Sequence, residues 1–540
     1  MNDQTDRVAT SRRDLLRMIG VTAGASAMYQ AMSTLGHAGE STYAGPPDLQ
    51  GAPPGTSVLV LGAGIAGMTA AYELQKAGYK VQVLEFNNRA GGRNWSVRGG
   101  DSYTELGGER QDCQFDKDLY LNPGPWRIPY HHRGMLELCR RLGVKLEPFV
   151  QVNHNAYLHN TEAFGGKPQR YRDVFFDYQG HVAELLAKAA HTSALDAEVS
   201  TEDKEWLLES LREWGTLDKD FRYVAGAHVS DRRGWKKARG GGLSARPTPS
   251  EVVSRHDILK SRLWAGIPNS FEYDMQTTIF QPVGGMGRIG EAFGRELGPI
   301  IKYQAKVTSI TQDARGVTVM YDDLADGGAK KQATAAWCVV TIPLPILGQI
   351  PMNVGPKLTT AIAAIPYASS IKVGLQFKRR FWEEDEQIYG GITYTNLPIG
   401  TIGYPNTDFQ GRGKGVLLGC YIWGLAAMEF TSMTPEQRIQ ETLRQGARIH
   451  PQYPQEFDGG FAMAWHRSPF TMGCMGVWND EARAEHYDNL CALDGRIVLA
   501  GEHASFMGGW QEGSVTSALD AIGRIHQRVV TQGSSKGAGA

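Results

Sequence analysis

No pair of cysteines stands at C-x-x-C spacing: the six, Cys113, Cys139, Cys338, Cys420, Cys474 and Cys491, lie far apart along the chain. That spacing argues against a zinc site and a dense disulfide framework, and no metal site is expected. A charge surplus is missing too: 56 Lys and Arg stand against 57 Asp and Glu, for a net charge of -1. A dedicated nucleic-acid binder shows a basic excess, so that class of partner is set aside. Beyond the N-terminal segment there is no run of about 18 apolar residues, and the mature chain is not expected to span a membrane. Composition also argues against disorder, with 41% hydrophobic and 21% charged residues. What is abundant is glycine: 65 of 540 residues, roughly 12% against about 7% usually. With only 25 prolines and no glycine period, the excess predicts tight turns and close approach of backbone to a ligand. A length of 540 residues predicts about two to four domains.

Ser11-Arg12-Arg13-Asp14-Leu15-Leu16-Arg17 precedes a weakly apolar run from Met18 to Met32. Paired arginines before a modest hydrophobic region form the twin-arginine export pattern, an address read by a receptor and not an anchor. Residues 1–38 are therefore expected to be a signal peptide that sends the protein to the periplasm or outside the cell. Residues 39–55, rich in Gly and Pro, are expected to be a linker.

Ser57-Val58-Leu59-Val60-Leu61 is the short apolar run that a buried parallel strand needs. It meets Gly62-Ala63-Gly64-Ile65-Ala66-Gly67, a G-x-G-x-x-G turn, followed by helical spacing from Met68 to Lys76 and a second strand, Lys80 to Glu85. The three glycines differ in what they allow. Gly62 makes the tight turn, Gly64 lets backbone approach a pyrophosphate, and Gly67 permits close helix–strand packing. The N–H groups at the helix start, including those of Ile65 and Ala66, and the positive end of the dipole favour phosphates. Glu85 ends the second strand about 20 residues on, where a carboxylate accepts from ribose hydroxyls. Strand, turn, helix, strand and terminal acid together predict a dinucleotide-binding βαβ unit.

Arg89-Ala90-Gly91-Gly92-Arg93 follows directly. Near the C-terminus, Gly495 to His503 reads as a strand running into a turn, then Gly508-Gly509-Trp510-Gln511-Glu512-Gly513-Ser514 and a helix from Val515 to Val530. Between them lie Phe280 to Met286, the strand Lys306 to Ile310 and Cys338 to Pro345. In this order the motifs resemble those of the flavin-containing amine oxidase family over residues 56–530, most like bacterial L-amino-acid oxidases. The resemblance implies FAD, held without a covalent bond, with Arg93 at a phosphate or the flavin edge and Val307 at the adenine. Glu502, Gly509, Gln511 and Ser514 match the family's second cofactor segment, where a helix N-terminus faces the flavin. Cys474 falls near the cysteine that monoamine oxidases link to FAD.

Gly124-Pro125-Trp126-Arg127-Ile128-Pro129, with His131 or His132 close behind, resembles the segment whose arginine pairs with the substrate carboxylate. Trp126 replaces the usual methionine, and Gly107-Gly108-Glu109-Arg110 is a rival for the same role. A guanidinium fork suits a planar carboxylate better than an ammonium does. Tyr421 and Trp423 alternate on an apolar run, so they face one side of a strand. By resemblance they offer a hydroxyl to the carboxylate and an aromatic wall, with Trp510 completing the cage. Lys372 is a cation that is expensive to bury unless it serves a function. It resembles the family lysine that holds a water at flavin N5 and assists reoxidation by oxygen.

The expected fold class is α/β (α+β): a Rossmann-type FAD-binding domain (56–115, 278–342 and 485–530), a mixed-sheet substrate-binding domain (116–132 and 343–484) and a helical domain (133–277). In the last, Val182–Ala190 and Glu202–Leu217 have helical spacing, while 226–250, basic and glycine-rich, reads as a mobile loop. The implied reaction is oxidation of L-amino acids to 2-oxo acid, ammonia and hydrogen peroxide by hydride transfer, with a monoamine or polyamine oxidase as the alternative. The expected partners are the amino acid, O2 and a second copy in a homodimer.

Overall fold

The computed structural model describes residues 41–243 and 246–537, with side chains up to 532. The twin-arginine segment, within 1–38, lies outside them. Among the described residues no helix is long and apolar enough to cross a membrane.

The fold is α/β. β1 (Ser57–Leu61), α1 (Ile65–Lys76) and β2 (Lys80–Leu84) form the first unit. β1 is buried because it has parallel neighbours on both sides, β2 and Trp337–Val340. Ile301–Lys302 beyond β2 and Ile497–Leu499 beyond Trp337–Val340 complete a five-stranded parallel sheet. Its strands thus come from three stretches of sequence that are far apart. α1 is buried along most of its length, and its small Ala70 and Ala71 share one core with Ala518, Ala521 and Ile522 of the helix Gln511–Gly537. Two alanine faces let helices approach closely, which keeps the starts of both helices near the same edge of the sheet.

The second sheet has seven strands, with Ser370–Phe377 between Gly415–Trp423 and Phe457–Ala464. Ser370–Phe377 is buried at every position. The sheet is mixed: Tyr157–His159 runs parallel to Ile392–Thr395, whereas the other pairings are antiparallel.

Three differences from the sequence expectations have physical causes. Tyr157–His159 and Gln169–Arg170, within the stretch read as helical, are the last two strands on one side of the mixed sheet, with Gln169–Arg170 at the edge, and both are too short to show a period. The rest of that stretch carries the long helices Tyr171–His191 and Thr201–Gly215. Residues 226–250 are not wholly loop: Ala227–Arg233 is helical, and Arg233 is buried against Asp177 at 3.0 Å. Finally, the described part of the 39–55 stretch is no free tether. Ser41, Tyr43 and Leu49 are buried, and Ser41 Oγ donates to Glu512 of the C-terminal helix.

Candidate active site

A cavity of 680 Å³ lies between the parallel sheet and the mixed sheet, and almost every residue singled out from the sequence lines it. Gly62, Gly64, Ile65 and Ala66 form one wall. Gly62 has φ +105°, open to glycine at little cost. A Cβ on Gly64 meets no protein atom within 4 Å, so the backbone there is bare toward the cavity. Gly67 stands apart from the lining: a Cβ on it would sit 2.0 Å from the Gly62 carbonyl oxygen, so it serves the turn from behind.

Glu85 is buried at the end of β2, its carboxylate held by N–H donors: Ala63 N at 2.6 Å to Oε2, and Asn87 N at 2.8 Å and Nδ2 at 2.7 Å to Oε1. A carboxylate has about four lone-pair sites, so Oε2 keeps accepting capacity for a hydroxyl. Val307 joins this wall from the strand Ala305–Gln312.

Arg93 and Glu502 meet at 2.9 Å. Glu502 also accepts from Gly476 N at 3.1 Å and Gly509 N at 3.2 Å. One carboxylate thereby joins the Arg89–Arg93 segment to the C-terminal glycine loop. Gln511 opens the last helix and accepts from Asn94 Nδ2 at 2.5 Å. With Gly509, Trp510 and Ser514 it brings that helix start, with its unpaired N–H groups, to the cavity.

Arg127 enters beside Gly124, Pro125 and Trp126. Gly124 is obligatory: a Cβ would fall 1.9 Å from the Arg93 carbonyl oxygen. After Arg127 the chain joins a short sheet, Ile128 pairing with Phe280, which fixes where the arginine leaves the backbone. The residue is 8% exposed, its Nε lacks a hydrogen-bond partner, and among the described residues no carboxylate pairs with it. Its guanidinium carbon sits 5.4 Å from the Trp126 ring centroid and 5.9 Å from that of Phe149. Burying a cation without a carboxylate partner is costly, and the guanidinium is free to receive an anion from the cavity. The rival Arg110 is settled by geometry: its side chain is 63% exposed and pairs with Asp112 at 2.7 Å. Exposed pairs contribute about 0–1 kcal/mol. Arg110→Ala is therefore expected to leave turnover within about twofold, by steady-state assay.

Tyr421 and Trp423 both face the cavity, ring centroids 5.3 Å apart, and Trp126 stands edge-on to Tyr421 at 6.2 Å. Lys372 is placed differently from the expectation: it does not line the cavity. Its strand is buried on both faces, and Nζ lies 4.3 Å from the Tyr421 ring centroid, donating to Gly124 O at 2.6 Å. It supports the wall from behind. Burial, with the Arg127 cation adding to it, pushes its amine down to about 7. Between that value and about 10.4 the folded amine is neutral while the unfolded one is charged, so the unfolded state binds more protons and stability rises with pH. Below the folded value both states are charged and the dependence vanishes. The stability of the wild type relative to Lys372→Met is expected to climb between pH 7 and 9, by up to about 1.4 kcal/mol per unit. Denaturant melts at several pH values measure this, and a flat difference contradicts it.

Other lining residues carried no sequence signal of their own: Asn87 and Asn94 on polar contacts, and Leu106, Phe470 and Met475 as apolar walls, while Thr341 beside Gly62 comes from the Cys338–Pro345 motif. Cys474 also lines the cavity, and its carbonyl accepts from Arg93.

The description "flavin containing amine oxidoreductase" belongs to the family model that matches residues 65–526. An L-amino-acid oxidase of Mus musculus is 31% identical over 496 residues, covering 87% of this chain and 70% of the relative. One from Siganus canaliculatus is 27% identical, covering 88% and 86%. Among solved structures, putrescine oxidase bound to putrescine superposes with TM-score 0.56 at 18% identity, covering 90% of this chain and 100% of that one. Cyclohexylamine oxidase from Brevibacterium oxydans IH-35A gives 0.57 at 17%. The two structures share the fold, and the sequence match spans most of the chain, which belongs to the flavin-containing amine oxidoreductase family and is an oxidoreductase.

Proposed function

We propose that this protein is an FAD-dependent L-amino-acid oxidase, converting its substrate to a 2-oxo acid and ammonia with release of hydrogen peroxide. The observation that carries the reading is the buried Arg127 guanidinium, unpaired by any carboxylate, in a cavity with aromatic walls. Relatives named L-amino-acid oxidase support the substrate class.

The residues present fit FAD. The bare Gly64 backbone and the start of α1 suit a pyrophosphate, Glu85 suits a ribose, and the start of the last helix suits an electron-rich ring edge. When bound, the flavin accepts hydride from the substrate and passes electrons to O2. The rest falls to the protein. Arg127 grips the carboxylate through parallel N–H bonds, and Tyr421 stands beside it, so Cα is held in one orientation. Trp126, Trp423 and Trp510 exclude water from the amine, which favours its neutral form, the form able to push electrons as the hydride leaves. The N–H groups at Gln511 offset developing negative charge. Lys372 secures the Gly124 carbonyl and the Tyr421 ring.

We infer that FAD is held without a covalent bond. Burial pushes the Cys474 thiol up, and the thiolate is the reactive form. Acid precipitation is expected to release all the yellow colour, and a coloured pellet overturns this. Export by the twin-arginine route and assembly as a homodimer belong to the same proposal, read by cell fractionation and by solution mass.

The deciding experiment is a peroxidase-coupled assay with L- and D-amino acids and their decarboxylated amines. Peroxide from L-amino acids is expected. Turnover of the amines but not the parent acids makes the protein an amine oxidase, and no peroxide from either makes it a binding protein.

A further inference from the structure

We propose that His131, His132 and Asp274 form a site for one divalent transition-metal ion, with zinc(II) the best match. The two histidines follow the strand Ile128–Pro129 and lead into the helix Arg133–Arg141, while Asp274 comes from the turn Tyr273–Met275, far along the chain. All three are buried, at 4%, 1% and 2% exposure. One ligand atom from each lies within 4.8 Å of the others.

The contact geometry distinguishes a shared cation from a hydrogen-bonded cluster. His131 Nε2 lies 2.9 Å and His132 Nε2 3.8 Å from Asp274 Oδ1. Neither contact has the angles of a well-formed hydrogen bond. Buried polar atoms are almost always well paired, and three that converge with poor hydrogen-bond angles need an explanation. Donors around a common ion point at the ion and not at each other. With bonds of about 2.0–2.1 Å, tetrahedral zinc places its ligand atoms roughly 3.3 Å apart, and the two measured separations bracket that value. Two imidazole nitrogens and one carboxylate oxygen suit zinc, whereas calcium and magnesium favour oxygen alone. Three protein ligands leave a fourth position for water.

The ion would brace the catalytic cavity from outside. Arg127 is on the same short segment as His131, and the His132 ring stands edge-on to Trp510 at 5.0 Å. Tying that segment to the Tyr273–Met275 turn holds the carboxylate grip and one aromatic wall in place.

The test titrates zinc into metal-stripped holoenzyme and follows stoichiometry by elemental analysis and thermal shift. One ion per chain and a raised Tm are expected. Asp274→Asn and His131→Ala, with FAD content checked, are expected to weaken binding by more than about 100-fold, since loss of an outer-shell partner alone costs about 10–100-fold. KM for the amino acid is expected to rise on stripping, with kcat little changed. If the variants do not load FAD, zinc-edge X-ray absorption of the wild type decides: two imidazoles around the ion support the site, and none overturns it. No zinc uptake by the wild type, or equal uptake by folded variants, also overturns it.

Discussion

Replacing Arg127 with methionine is expected to lower kcat/KM for L-amino acids by about 10³-fold while leaving oxidation of the matching decarboxylated amine within a few-fold. Truncating one partner of a buried, hydrogen-bonded charge pair costs about 2–5 kcal/mol, and the middle of that range corresponds to roughly three decades. Arg127→Lys keeps the charge but loses the parallel fork, so it should fall between the two. A second readout is independent of turnover. In the substrate-free protein Arg127 is a buried cation with no carboxylate beside it. Methionine removes that desolvation cost, so the variant should melt at a higher temperature than the wild type. Steady-state kinetics on acid and amine pairs, with a melting curve, checks both. Equal losses on acids and amines would mean that the arginine supports the fold and not the carboxylate.

Gly67→Ala is expected to destabilise the protein by about 3 kcal/mol or more and to strip it of flavin. The added Cβ would lie 2.0 Å from the Gly62 carbonyl oxygen and 2.9 Å from Thr341 Oγ1. A flexible side chain could yield, but the first obstacle is backbone, and moving it displaces the turn that holds Gly62 and Gly64. Gly64→Ala is the instructive contrast. Its Cβ meets no protein atom within 4 Å, so the empty protein should keep its stability. The methyl would instead occupy space where a pyrophosphate approaches, and FAD affinity should drop. Melting of the flavin-free proteins and flavin titration separate the two variants; a Gly67→Ala protein that melts and loads like the wild type contradicts the packing argument.

The contrast also shows which parts of the molecule were legible in its sequence. The glycine turn, Glu85 and the Gly124–Pro129 segment could be read because each satisfies a local requirement that few residue types meet. Lys372 could be marked as a costly burial, but not placed. On a strand buried at every position, alternation no longer tells the cavity face from the other, and the lysine lies behind Tyr421. The short strand Tyr157–His159 owes its form to a partner, Ile392–Thr395, that local sequence does not reveal. Asp274 was invisible for the same reason: its significance comes only from meeting His131 and His132 across the fold. Tyr43 and Leu49 sit in a stretch whose composition suggests a tether, yet their burial, with the Ser41 hydrogen bond to Glu512, docks it.

The cavity draws its walls from Gly62 near one end of the chain to Ser514 near the other. A molecule lodged there works as a further clasp on regions that lie far apart in the sequence. Whatever occupies it adds its binding free energy to the cohesion of both sheets at once, by simple mass action. Prosthetic group and architecture are then one thermodynamic object, and an emptied protein would lose firmness throughout and not merely its colour.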